Sequence, residues 1–90
     1  VHAYIHHGNK SGALVKLLCE TDFVARTPQF EDLAHNIAMQ VVALQPATVE
    51  ELLDSDYIKD PEKKIKHLIS EAVSKLGENI KVGGFTAYII

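Results

Sequence analysis

Between Gly12 and Leu44 the apolar residues change period, and the change is complete within the ten residues Cys19-Glu20-Thr21-Asp22-Phe23-Val24-Ala25-Arg26-Thr27-Pro28. Before it, Ala13, Val15, Leu17 and Cys19 alternate along Gly12–Cys19, the period of a strand with one face against a core. After it, Phe30, Leu33, Ala34, Ile37, Ala38, Val41 and Leu44 follow the i, i+3, i+4, i+7 spacing of one helical face. Thr27 suits the N-cap and Pro28 the first helical position, where a missing N–H costs nothing, so the spacing predicts a helix from Pro28 to about Leu44. A half-buried strand running straight into an amphipathic helix has few compact solutions, of which the helix lying across the sheet is the simplest. Asp22-Phe23-Val24 is then left in the connection at the sheet's edge. A large aromatic there either folds back onto the core or projects as an anchor for a partner pocket, and local pattern leaves both open.

The remaining elements assemble around that pair. Val1, Ala3 and Ile5 alternate with His2, Tyr4 and His6 in a first strand, and His7-Gly8-Asn9-Lys10-Ser11-Gly12 reads as the loop of a hairpin. Thr48-Val49-Glu50-Glu51 matches a capping box and predicts a short helix to about Leu53, followed by a polar connection over Asp54–Lys59. Asp60-Pro61 repeats the cap-plus-proline start, and Ile65, Leu68, Ile69, Ala72, Val73 and Leu76 form a second long stripe stopped by Gly77. Asn79 to Ile90 is a third strand with Ile80 and Val82 on one face. A bulge at Gly83-Gly84 returns Phe85, Ala87 and Ile89 to that face. The expected fold is α+β, in the order β-β-α-α-α-β. A three-stranded antiparallel sheet carries two long helices and one short helix on one face, all in a single domain over residues 1–90.

Composition narrows the function classes. A net charge of −3 gives no basic patch for a phosphate backbone, so direct nucleic-acid binding is not expected. No apolar run approaches the ~18 residues of a membrane span. A single cysteine and the lack of a recognisable secretory leader fit a reducing compartment, cytoplasm or organelle matrix. Cys19 reads as core filler. His6 and His7 point to opposite faces, His2 and His6 stand roughly 13 Å apart at strand rise, and His35 and His67 lie on separate helices, so no metal site is expected. Lys63, Lys64 and Lys66 read as a solvated helix face, and Arg26 as a partner for Glu20 or Asp22. No nucleophile elbow, phosphate loop or paired carboxylates suggest an enzyme. His2, Tyr4, Tyr88, Leu14 and Leu18 suggest an outer sheet face apolar enough for homodimerisation.

Cys19-Glu20-Thr21-Asp22-Phe23-Val24-Ala25-Arg26 resembles the signature of translation elongation factor Ts, the guanine-nucleotide exchange factor for elongation factor Tu. Ile37-Ala38-Met39-Gln40-Val41 and Lys75-Leu76-Gly77-Glu78-Asn79-Ile80 resemble the same family's core at matching relative positions. The family normally adds an N-terminal ubiquitin-associated-like domain, usually a further α/β half and often a helical hairpin insertion, none of which is expected within these ninety residues. The resemblance implies a non-enzymatic mechanism without covalent chemistry and without a cofactor. Asp22 and Phe23 would reach into the GTPase near its magnesium and phosphate site, while Thr21 and Val24 would shape and hold the projecting turn.

Overall fold

The computed structural model describes all of residues 1–90. Strands β1 (His2–Ile5) and β2 (Ser11–Leu18) pair antiparallel, and β2 pairs antiparallel with the last strand, so the sheet runs β1-β2-β5 with β5 at Lys81–Ile89. Leu17 faces Val82 while Lys16 faces Gly84, which leaves Gly83 as the extra residue of the expected bulge. The helices are α1 (Asp22–Ala25), α2 (Pro28–Leu44), α3 (Val49–Asp54) and α4 (Ile65–Leu76). Thr27 Oγ1 caps α2 by accepting from Phe30 N at 3.2 Å, and the helix ends at Gln45 in the left-handed region just before Pro46. The core forms where Ala13, Val15, Leu17 and Val82 of the sheet meet Phe30, Leu33, Ile37 and Val41 of α2 and Ile65 and Ile69 of α4. This is the expected two-layer α+β arrangement.

Four local expectations are corrected. Asp60-Pro61 does not open a helix: Asp56–Tyr57 (β3) and Asp60–Lys64 (β4) form a small antiparallel ribbon, and α4 starts at Ile65. The Asp60 carboxylate accepts from Glu62 N in a local turn, which competes with capping, and the ribbon places Tyr57 in the core. Lys63, Lys64 and Lys66 consequently do not form one free helix face but pair with Glu71, Asp56 and Asp54. At α3, Thr48 Oγ1 accepts from Glu51 N as a cap should, but Glu51 reaches back to Ala47 N rather than to Thr48. The faces of β1 are also reversed from the dimer expectation. His2 and Tyr4 turn inward over α2, with ring centroids 5.3 and 5.2 Å from His35, while Ile5 is exposed on the outer side.

His2 Nε2 and His35 Nδ1 lie 3.2 Å apart, a contact between elements that no local pattern announces. One ring must donate and the other accept, so both cannot be protonated in this geometry. Burial, and next the His35 charge, hold the His2 imidazole below its usual pKa, with nearby Glu31 opposing them and the Val1 amine adding to them.

Gln40 is the one polar side chain in the core, with no exposed surface. Its amide nitrogen donates to Asp56 O at 2.7 Å and to Ser55 Oγ at 3.1 Å, and its oxygen accepts from Ile58 N at 3.0 Å. One side chain of α2 thereby satisfies the backbone leading into the ribbon.

Candidate partner-binding site

The connection after β2 folds into one turn of helix, α1. Thr21 is extended, and its Oγ1 accepts from Val24 N at 3.3 Å, a side-chain N-cap. Ala25 N donates to Thr21 O, Arg26 N to Asp22 O and Thr27 N to Val24 O, the last at 3.0 Å. Thr27 Oγ1 also donates to Val24 O at 2.8 Å while capping α2, so the two helices share a corner.

This turn decides where Phe23 goes. Successive residues on a helix are about 100° apart, so a turn that buries one of them swings its neighbour outward. Val24 is the buried one, 4% exposed and part of the core, whereas Phe23 is 81% exposed. Asp22 lies beside it in the first turn, its carboxylate free of any protein hydrogen bond or ion pair, and Arg26 and Pro28 are exposed on the same surface. The four residues singled out in sequence therefore divide into two that point to solvent, Asp22 and Phe23, and two that hold the turn, Thr21 and Val24. Arg26 does not pair with Glu20 or Asp22: ion pairs form at Lys63, Lys64 and Lys66. Cys19 packs half-buried at the core's margin just beyond β2, and its thiol donates to Thr21 O at 3.2 Å.

Sequence reasoning missed a second layer. Glu78, in the turn after α4, sends its carboxylate to the start of α1: Oε1 accepts from Glu20 N at 3.1 Å and Thr21 N at 3.0 Å, and Oε2 from Thr21 Oγ1 at 2.7 Å. Glu20 Oε2 returns the contact by accepting from Asn79 N at 2.7 Å. The only prior signal was that Glu20 and Glu78-Asn79 fall in two of the segments that carried the resemblance.

The short helix presents an aromatic ring and a carboxylate together at the surface. Residues 20–89 match the family Elongation factor TS, a stretch that begins at this turn and includes the Glu78 contact.

The chain belongs to the elongation factor Ts family.

Elongation factor Ts of Moorella thermoacetica is 35% identical, with 98% of this chain and 66% of the relative aligned. That of Thermotoga maritima is 34% identical over 98% of this chain and 66% of the relative. The chloroplastic elongation factor Ts of Guillardia theta is 33% identical over all of this chain and 62% of its own length. The chain thus spans just under two thirds of the relatives it matches. The Moorella alignment runs over 133 positions against 90 residues here, so at least 43 positions of the relative, lying between matched segments, have no counterpart in this chain.

Proposed function

We propose that this chain is a guanine-nucleotide exchange domain that binds elongation factor Tu and promotes GDP release during translation elongation, with Asp22 and Phe23 as the inserted residues. The observation that carries this reading is the exposure of Phe23 beside a buried Val24 in the segment where the family match begins. A folded domain leaves a large aromatic in water on a rigid turn at a cost, and a pocket on a partner recovers it. Burying a Phe contributes about 1.5–3 kcal/mol, and each ~1.4 kcal/mol by which binding favours the GDP-free partner changes nucleotide affinity tenfold. Thr21 and Val24 fix the turn, so little binding energy is lost to ordering it. No group of the domain is asked to make or break a bond, which fits a non-enzymatic role. No helix is long and apolar enough to cross a membrane. We place the activity where elongation takes place, in cytoplasm or an organelle matrix, without direct nucleic-acid contact. The test is release of a fluorescent GDP analogue from the cognate elongation factor Tu with and without this chain. Unchanged release at saturating chain would contradict the reading.

A second reading, compatible with the first, is homodimerisation through the outer sheet face. Its specific support is a connected apolar surface made by Ile5, Leu14, Tyr88 and Ile90, respectively 62%, 47%, 72% and 95% exposed. Leu14→Lys places a charge on it, and the expected outcome is self-association in the micromolar range that the substitution weakens by at least tenfold. Light scattering that stays at monomer mass up to high protein concentration would remove the dimer.

A further inference from the structure

We propose that Glu78 is a positioning residue for the exchange turn, acting on the partner only through the orientation it gives Asp22 and Phe23; this rests on the exchange reading above. Four residues of helix are too few to hold themselves together, since nucleation fixes several dihedrals for each hydrogen bond gained. α1 therefore depends on what grips its ends. Its C-terminal end is held by Thr27 and by Val24 in the core. At its N-terminal end, where Thr21 and Asp22 are exposed, Glu78 supplies three hydrogen bonds from one carboxylate across 57 residues of sequence, beside the Cys19 thiol's bond to Thr21 O.

The bond to the Thr21 hydroxyl matters most. A hydroxyl has one proton, and the 2.7 Å contact with Glu78 Oε2 commits that proton to the carboxylate, because a carboxylate can only accept. What the oxygen then offers Val24 N is a lone pair. Glu78 thus holds the Thr21 hydroxyl in the orientation from which it caps the turn that sends Val24 in and Phe23 out. The bonds to Glu20 N and Thr21 N fix the backbone entering the turn, and Glu20 closes the ring through Asn79 N. Glu78 is itself placed by Gly77, whose φ of 74° ends α4 with its N–H on Val73 O. The end of α4 is in this way fastened to the start of α1, while the core beneath is made by other residues.

Because the clamp lies at the surface, its loss should free the turn without unfolding the domain. In Glu78→Ala, amide hydrogen exchange at Thr21 and Val24 should accelerate by about tenfold or more, the weight of one or two charge-assisted hydrogen bonds, while protection at Ile37 and Val41 stays as in the parent chain. Stimulated GDP release should fall by about tenfold. Glu78→Gln keeps one accepting oxygen and cannot accept at the other position, so it should recover part of both effects. If Glu78 acts only through the turn, adding Glu78→Ala to Phe23→Ala should produce little further loss of release, a non-additivity that a general loss of fold would not give. Full GDP release by Glu78→Ala, parental exchange at Thr21 and Val24, or additive losses in the double variant would each overturn the positioning role. Parental release by Phe23→Ala alone would contradict the exchange reading itself, and the Thr21 and Val24 amides would still report whether the clamp holds the turn. Should Glu78→Ala fail to fold, the same exchange and release measurements on Glu78→Gln decide the matter.

Discussion

Phe23→Ala should leave the chain folded, with a midpoint lowered by less than about 4 °C, and should reduce stimulated GDP release by about ten- to a hundredfold. The stability half follows from exposure: a side chain 81% in solvent has almost no packing to lose, and surface substitutions usually fall within about 0.5 kcal/mol. The activity half follows from the area an aromatic buries in a partner, where about 1.5–3 kcal/mol of lost binding converts to the stated range. If Phe23 instead turned into the core, its truncation would cost about 3–5 kcal/mol and unfold much of a domain this small. Calorimetry and a stopped-flow release assay on one preparation therefore separate the two. Asp22→Ala should show the same separation with a smaller activity loss, since an exposed carboxylate beside the anchor contributes orientation and charge complementarity more than buried area.

Gln40→Ala should be the reverse case, with a large loss of stability. The truncation strips Asp56 O and Ile58 N of their partners, whereas the Ser55 hydroxyl keeps its bond to Leu52 O. Each orphaned part-buried backbone group costs about 1–3 kcal/mol. With the cavity left behind, a loss of about 3–6 kcal/mol is expected, most of the stability of a small domain. Gln40→Met tests the cause. It refills the volume but cannot accept from Ile58 N or donate to Asp56 O, so most of the loss should persist. A Met variant as stable as the parent in urea denaturation would show that volume, and not the hydrogen bonds, makes Gln40 matter. A loss below about 1 kcal/mol in both variants would show that water replaces the side chain.

What was legible in the sequence was what depends on local period. The stripe from Phe30 to Val41 and the alternation Ala13-Val15-Leu17 each bury one face, and a buried face imposes its spacing on the chain. The caps at Thr27, Thr48 and Gly77 were legible because each satisfies orphan groups within a few residues. What local period could not settle was decided by distant partners. Asp60-Pro61 has the chemistry of a helix start, but burial of Tyr57 and the Gln40 bonds favour a ribbon there. The inward face of β1 is ambiguous in sequence because Val1-Ala3-Ile5 and His2-Tyr4 are both apolar enough to face inward, and His35 on α2 selects the second set. At the turn after β2, residue identities point to the place but not the shape. That Phe23 projects depends on Val24 filling the core and on Glu78 arriving from 57 residues away.

The central claim is that binding energy at this turn is exchanged for release of GDP, and linkage makes it measurable at equilibrium, without following the release itself. If the chain lowers the GTPase's affinity for GDP, excess GDP must lower the GTPase's affinity for the chain by the same factor. The decisive measurement is titration calorimetry of the chain into nucleotide-free and into GDP-saturated elongation factor Tu. Binding at least tenfold tighter to the nucleotide-free form, with the difference largely abolished by Phe23→Ala, is the predicted result. Equal affinity for the two forms would contradict exchange even if the proteins bind each other tightly.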